Sequence, residues 1–253
     1  MNGKILVTGG TGTLGSHVVP MLRTAGHDLR ILSRSAHEGG PGVEYVTGDL
    51  LAGTGLEEAL AGVDTILHMA GAQKGDDIAT RNLAQAAARA GVRHIVYISV
   101  IGVDKVPVGW MRMKARAEQA ILESGVPYTI LRAAQFHDLT FKAVRTMAKM
   151  PVVPKPGGLR FQPVDARDVA ARLVELVEGP PSGLVADIAG PEVIAMGDLV
   201  RSYMKATGKH RMMLPVRIPG KTGKSYRAGE NLTLEGALVG HGTWEDYLAA
   251  HVG

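Results

Sequence analysis

The sequence predicts an α/β protein: a doubly wound, largely parallel sheet covered by helices on both faces, with a smaller C-terminal lobe. Three observations carry this expectation. Short β-branched runs alternate with helical stretches through the first half of the chain. A glycine-rich loop joins the first of these runs to the first helical stretch, and glycines recur where later helices should end. Strand–helix alternation of this kind makes parallel sheets buried on both sides.

Taken in order, Lys4–Thr8, Leu29–Leu32, Val43–Val46, Thr65–His68, His94–Ser99 and Tyr128–Leu131 read as strands, being brief, apolar and bounded by Gly, Asp or Pro. Between them, Leu14–Ala25, Gly55–Leu60, Ile78–Ala90 and Lys114–Ser124 carry helix formers. Gly26, Gly62, Gly91 and Gly125 stand where left-handed caps belong. After Leu131 the rhythm changes. Pro151, Pro154, Pro156, Gly157 and Gly158 suggest a rigid connector, followed by a strand over Leu159–Val164. Asp165 is placed to cap a helix over Ala166–Glu178. Leu184–Ala189, a helix at Gly197–Thr207, Met212–Ile218 and a terminal helix near Thr243–Ala250 complete the pattern. The expected division is a dinucleotide-binding core over residues 1–133. Residues 134–253 would partly complete that core and form the lobe.

Composition narrows the class. The chain has 253 residues, no cysteine and a net charge of +4. Disulfides, thiolate nucleophiles and Cys-based metal sites are excluded, and the histidines show no metal-ligand spacing. The mild basicity suits an anionic small-molecule ligand and falls short of a nucleic-acid signature. No apolar run approaches the ~20 residues of a membrane span, and MNGKILVTGG has no signal-peptide core, so a cytoplasmic protein is expected. Arg201, Lys205, Lys209, Arg211, Arg217, Lys221, Lys224 and Arg227 form a stretch without acids. It reads as a solvated face or loose loop, or else as a lid attracting an anion.

The loop Gly9-Gly10-Thr11-Gly12-Thr13-Leu14-Gly15 follows the first strand and opens the first helix. Its glycines allow a tight turn and close backbone approach to a pyrophosphate, and the helix N-terminus adds amide donors. The second strand selects the nucleotide. NAD sites place an acid at its carboxyl end; here the strand ends Leu32-Ser33-Arg34-Ser35. Asp28, at the other end, lies roughly 15 Å away at ~3.3 Å per residue. Arg34 offers a fork of donors to a 2′-phosphate, with Ser33 as a hydroxyl partner, so NADP(H) is favoured over NAD(H).

With VTGGTGTLGSHVV, LSRS, VTGDL, ILHMAGA, HIVYISVIGVD, KARAEQAILESGVPYTILRAAQFHDL and GTWEDYL in view, the chain resembles the atypical short-chain dehydrogenases, in particular the NmrA-like NAD(P)H-binding group. The resemblance implies a Rossmann-type sheet and a C-terminal substrate lobe. It also implies contacts of Asp49 and Leu50 near the adenine, of Met69, Ala70 and Gly71 along the dinucleotide, of Lys114 at the nicotinamide ribose, and of Ala133–Phe136, Phe136 included, against the nicotinamide. Asp49 reads equally as a turn former after Gly48.

Short-chain reductases pair Tyr-x-x-x-Lys with a Ser. Lys114 and Ser99 fit; the tyrosine position is Trp110, whose indole N–H donates and does not titrate in water's range. Other donors are weaker. Tyr97 and His68 read as core, Tyr226 is remote in the basic stretch, and His137, just past the sixth strand, is either an assisting acid or a structural histidine. The expected function is an NADPH-dependent oxidoreductase on a small organic acceptor, a quinone or conjugated carbonyl. Lys114 would fix the ribose, with Ser99 or His137 at the substrate oxygen. The alternatives are a non-catalytic NADP(H) redox sensor with a protein partner, and an isomerase or epimerase that retains its cofactor.

Overall fold

A computed structural model describes residues 3–72 and 74–252. The first strand, β1 (Lys4–Thr8), is followed by α1 (Gly15–Thr24), β2 (Leu29–Ser33), β3 (Val43–Thr47), α2 (Leu56–Leu60), β4 (Val63–His68), α3 (Asp76–Ala90), β5 (His94–Val100), α4 (Gly109–Glu123) and β6 (Tyr128–Ala133). These strands lie in the order β6-β5-β4-β1-β2-β3, the doubly wound arrangement that reverses direction beside β1. The strands are where the apolar runs are, and the four expected helix-end glycines all adopt positive φ, Gly26 at 83° and Gly91 at 73° among them.

The chain continues through α5 (His137–Met147), β7 (Val152–Pro156), β8 (Arg160–Phe161), α6 (Ala166–Glu178), β9 (Gly183–Leu184), β10 (Ile188–Ala189), β11 (Ile194–Ala195), α7 (Met196–Ala206), β12 (Met212–Val216), α8 (Gly220–Ala228), β13 (Leu238–Val239) and α9 (Trp244–His251). With β9 pairing β6, and β10 and β13 continuing beyond β6, the sheet has nine strands. Among the described residues, no helix is long and apolar enough to cross a membrane.

Contacts group the chain into two compact units: one of residues up to Ser99, Arg112–Leu131 and Val169–Val185, the other of Val100–Met111, Arg132–Asp168 and the residues from Ala186 onward. The first unit is built on a core of Leu6, Leu32, Ile66, Leu83, Ile95, Tyr97, Ile121 and Ile130 between sheet and helices. The second gathers Val144, Val153, Leu199, Tyr203, Trp244 and Leu248 around α5, α7 and α9.

Several local expectations change. The proline-rich connector is strand β7, which pairs in parallel with β12; prolines survive there because a two-stranded ribbon leaves edge amides without partners. The strand expected over Leu159–Val164 shortens to β8, and Leu184–Ala189 splits into β9 and β10. Helix α5 has no counterpart in the pattern expected from the sequence. The basic stretch runs from α7 through β12 to α8, with Arg201 and Lys205 on α7 and Lys221, Lys224 and Arg227 on α8, and most of its charges are exposed. Helix α4 begins at Gly109, five residues before Lys114, so Trp110 stands in its first turn. Asp165 does cap α6: its Oδ1 accepts the Arg167 N–H at 2.8 Å.

Candidate active site

The loop after β1 is shaped by steric necessity. Gly9 has φ +73°, and a Cβ there would lie 2.7 Å from the Ala70 nitrogen. A Cβ on Gly15 would lie 2.4 Å from Gly10 O, and one on Gly10 would meet Ile31 Cγ2 at 2.9 Å. Each glycine therefore marks a close approach of backbone to backbone or to core. Gly12 donates to Gly9 O at 3.0 Å and closes the turn. Among the described residues the Thr11 and Thr13 amides make no hydrogen bond. Together with Leu14, at the start of α1, they form the kind of concave donor surface that takes an anion. Side chains at these glycines would distort the loop, and its unbonded amides at a helix N-terminus fit a pyrophosphate.

At the carboxyl end of β2, Ser33 Oγ accepts from the Ser35 N–H at 3.2 Å and contacts His37 Nε2 at 3.0 Å. Arg34 is exposed and has no ion-pair or hydrogen-bond partner among the described residues. Its donor fork is free, and no acid ends this strand. After β3, Asp49 Oδ1 accepts the Leu51 and Ala52 amides at 2.7 and 3.1 Å. Asn82 Nδ2 donates to Leu50 O at 2.9 Å and also to Leu51 O. One Asp49 oxygen is thus committed to a turn, and Asn82 of α3, which no sequence signal singles out, pins that turn.

After β4 the chain crosses beside β1. Met69 N donates to Thr8 O at 3.1 Å and Ala70 N to Thr8 Oγ1 at 3.2 Å, placing Met69, Ala70 and Gly71 alongside the glycine loop. Behind them lies a polar cluster. His68 is buried between Thr8 and Thr80, with Nδ1 2.6 Å from Thr8 Oγ1 and Nε2 3.0 Å from Thr80 Oγ1. Burial, then the nearby Lys114 charge, pushes its pKa down to about 3, so the ring is neutral. It stacks on Tyr97, ring centres 5.1 Å apart.

Tyr97 is core, as its strand position suggests, but its hydroxyl is not idle. Lys114 Nζ donates to it at 3.0 Å and lies 3.1 Å from Asp76 Oδ2, an ion pair without good hydrogen-bond direction. Burial pushes the phenol up to about 12 despite Lys114's opposing pull. For Lys114, burial alone would depress the ammonium, but Tyr97 and Asp76 outweigh it and hold the pKa above the usual lysine value. The Lys114–Tyr97–Asp76 contacts could not be read from spacing, because they join β5, α3 and α4. Ser99 is buried near the end of β5, its hydroxyl without a partner among the described residues.

In the second unit, Phe136 caps α5 in an extended conformation and bridges to Val164. His137 is the first residue of α5. Its ring is fully buried, Nε2 lies 3.2 Å from Pro163 O, and Trp244 and Tyr247 pack on it. Burial lowers its pKa, and its Nδ1 has no hydrogen-bond partner among the described residues. Tyr226 lies half-buried against Phe161. Trp110 is 38% exposed.

A family model for NAD(P)H-binding proteins matches residues 9–180, the span from the glycine loop through α6. The chain belongs to this NAD(P)H-binding family. Its relatives include the (4-alkanoyl-5-oxo-2,5-dihydrofuran-3-yl)methyl phosphate reductase of Streptomyces griseus, 34% identical over 212 residues that cover 81% of this chain and 74% of that protein. The NAD(P)H azoreductase of Xenophilus azovorans is 30% identical over the same shares of each chain. The fold is shared with the NADPH-dependent quinone oxidoreductase of Escherichia coli in complex with NADPH, at TM-score 0.82 and 19% identity, covering 98% of this chain and 100% of that one. It is shared too with the NADP(H)-bound triphenylmethane reductase of a Citrobacter species, at TM-score 0.77, 22% identity and 98% and 99% coverage. The family member described here is an NAD(P)H-dependent oxidoreductase.

Proposed function

We propose that this protein is an NADPH-dependent reductase of a small, strongly electrophilic organic acceptor, a quinone or a conjugated carbonyl. The observation that carries the reading is the pairing of a free, exposed Arg34 after β2 with a glycine loop of unbonded amides after β1, its parallel neighbour, at the same edge of the sheet. The Thr11, Thr13 and Leu14 backbone would hold the pyrophosphate. Arg34 would fork onto the 2′-phosphate, with Ser33 beside it. Lys114 would donate to the ribose of the nicotinamide half, and Met69, Ala70 and Gly71 would flank the dinucleotide. When bound, the cofactor supplies a hydride.

No titratable phenol stands four residues before Lys114, and Tyr97 is neutral and enclosed. The buried Ser99 hydroxyl can donate a hydrogen bond to an acceptor oxygen without carrying net charge. The proton that completes reduction would then come from water. A quinone or conjugated carbonyl suits this, because the two electrons of the hydride leave a delocalised oxyanion that needs little acid catalysis. The names of the relatives point the same way: one reduces azo compounds, another an alkanoyl-oxo-dihydrofuran phosphate.

The test is a fluorescence titration with NADPH and NADH, followed by a panel of quinones, enones and simple ketones. Tight NADPH binding with turnover of quinones or enones but not of simple ketones is expected. Binding without turnover of any acceptor would sink the proposed acceptor class.

A further inference from the structure

Lys114 is held more completely than a cofactor contact alone would require. Its Nζ donates to Tyr97 OH at 3.0 Å, lies 3.1 Å from Asp76 Oδ2 and stands 4.9 Å from the centre of the Tyr97 ring. Asp76 Oδ1 in turn accepts the Ala72 N–H at 3.1 Å. One carboxylate therefore ties the lysine to the strand-end segment that runs along the glycine loop. A Cβ on Gly71 would be 3.9 Å from both Nζ and Asp76 Oδ1, so the ammonium sits directly beside that segment. An ammonium has three donors. Tyr97 takes one and Asp76 faces a second, leaving one for a ligand.

We propose that Tyr97 and Asp76 are positioning residues that keep the Lys114 ammonium charged and fixed beside Gly71, ready to bond a cofactor hydroxyl. The inference rests on the reading of Lys114 as the cofactor-contacting cation. A flexible lysine side chain loses rotamer entropy when it is fixed, and a pre-formed anchor removes that entropy before the ligand arrives. Burial works against the charge, and an unpaired ammonium there would shed its proton. The charged or titratable groups facing this cluster are Tyr97 on β5, Asp76 on α3, His68 on β4 and Glu118 on α4. His68 is neutral, so the sum around Lys114 is negative.

The test uses the full chain grown on [ε-¹³C]lysine, with the Lys114 signal assigned through Lys114→Arg. In the wild type that signal should stay at its protonated shift beyond the pH at which an ordinary lysine titrates, and in Tyr97→Phe and Asp76→Asn it should titrate at clearly lower pH. Tyr97→Phe keeps the ring that packs on His68, so a folded variant is expected. In both variants NADPH affinity should fall several-fold more at alkaline than at neutral pH. An unmoved Lys114 titration, or an affinity loss equal at all pH values, would overturn the positioning role. The lysine titration is read without cofactor, so it is separate from the parent reading. That reading fails if Lys114→Met binds NADPH as the wild type does.

Discussion

Gly9 and Ala70 approach so closely that a single added methyl group would bring Cβ of residue 9 to 2.7 Å from the Ala70 nitrogen. The two residues come from the ends of neighbouring parallel strands, β1 and β4, at the point where strand order reverses. Open α/β sheets bind ligands at that point. The contact therefore couples the integrity of the fold to the shape of the cradle.

Gly9→Ala should damage both. The φ of +73° is strained for alanine and the clash is with backbone, which cannot swing aside. A loss of about 1–3 kcal/mol of stability is expected, together with loss of NADPH binding. Gly12→Ala is the contrast, since its Cβ would meet only Gly9 O at 3.3 Å. It should keep nearly the wild-type melting temperature and still weaken NADPH binding by narrowing the loop. Thermal melts and cofactor titrations on both variants check this; an undestabilised Gly9→Ala would refute it.

Arg34→Ala should raise the Kd for NADPH more than ten-fold, about 1.4 kcal/mol, and leave NADH nearly unchanged. Parallel titrations decide the matter. Equal losses for both nucleotides would show that Arg34 does not read the 2′-phosphate.

His68 makes stability pH-dependent. Its folded pKa is about 3 against 6.5 in the unfolded chain, so between those values the unfolded state binds more protons. The stabilisation is complete above about pH 6.5 and is lost as pH falls toward 3. From pH 6.5 to pH 5 the loss is about 2 kcal/mol, at about 1.4 kcal/mol per unit. Urea unfolding of the wild type and of His68→Asn at neutral pH and at pH 5 should show the variant losing less. Parallel losses would place the titration elsewhere; the buried His94 and His137 are the next candidates.

The legible parts of this molecule were those in which chemistry lies along the chain. The strands, the glycine loop, the helix-end glycines and the Asp165 cap each depend on neighbours a few residues apart, and the sequence shows such neighbours. The Lys114 cluster depends on three elements meeting, so Tyr97 looked like packing alone and Asp76 drew no notice. The surroundings of His137 were hidden for a similar reason. Its place just past β6 suggested the ligand edge, while Trp244 and Tyr247, more than a hundred residues later, enclose it. Strand β7 was hidden by its prolines, whose partner strand β12 lies some sixty residues on.

Trp110 brings these strands of argument together. A phenol at residue 110 would stand one helical turn before Lys114 on α4, the spacing at which side chains share a face. Its acidity, however, depends on an ammonium that is free to approach. Lys114 is turned to Tyr97 and Asp76 instead. Trp110→Tyr alone should therefore add less than about ten-fold to the reduction of simple ketones, with no new pH-dependent limb, against the ~10²–10⁴-fold typical of general acid catalysis. Trp110→Tyr combined with Tyr97→Phe releases one of the two holds while Asp76 keeps the ammonium charged near neutral pH. Ketone reduction should then rise by about 10² or more, with an alkaline limb reporting the new phenol. Initial rates across a pH series, with NADPH saturating, distinguish the two variants. If the single swap already gave the full gain, Lys114 would not be held by Tyr97 in solution. If neither variant gained, the tryptophan position would not face the acceptor, and tyrosine there would be no nearer the chemistry than the indole it replaced.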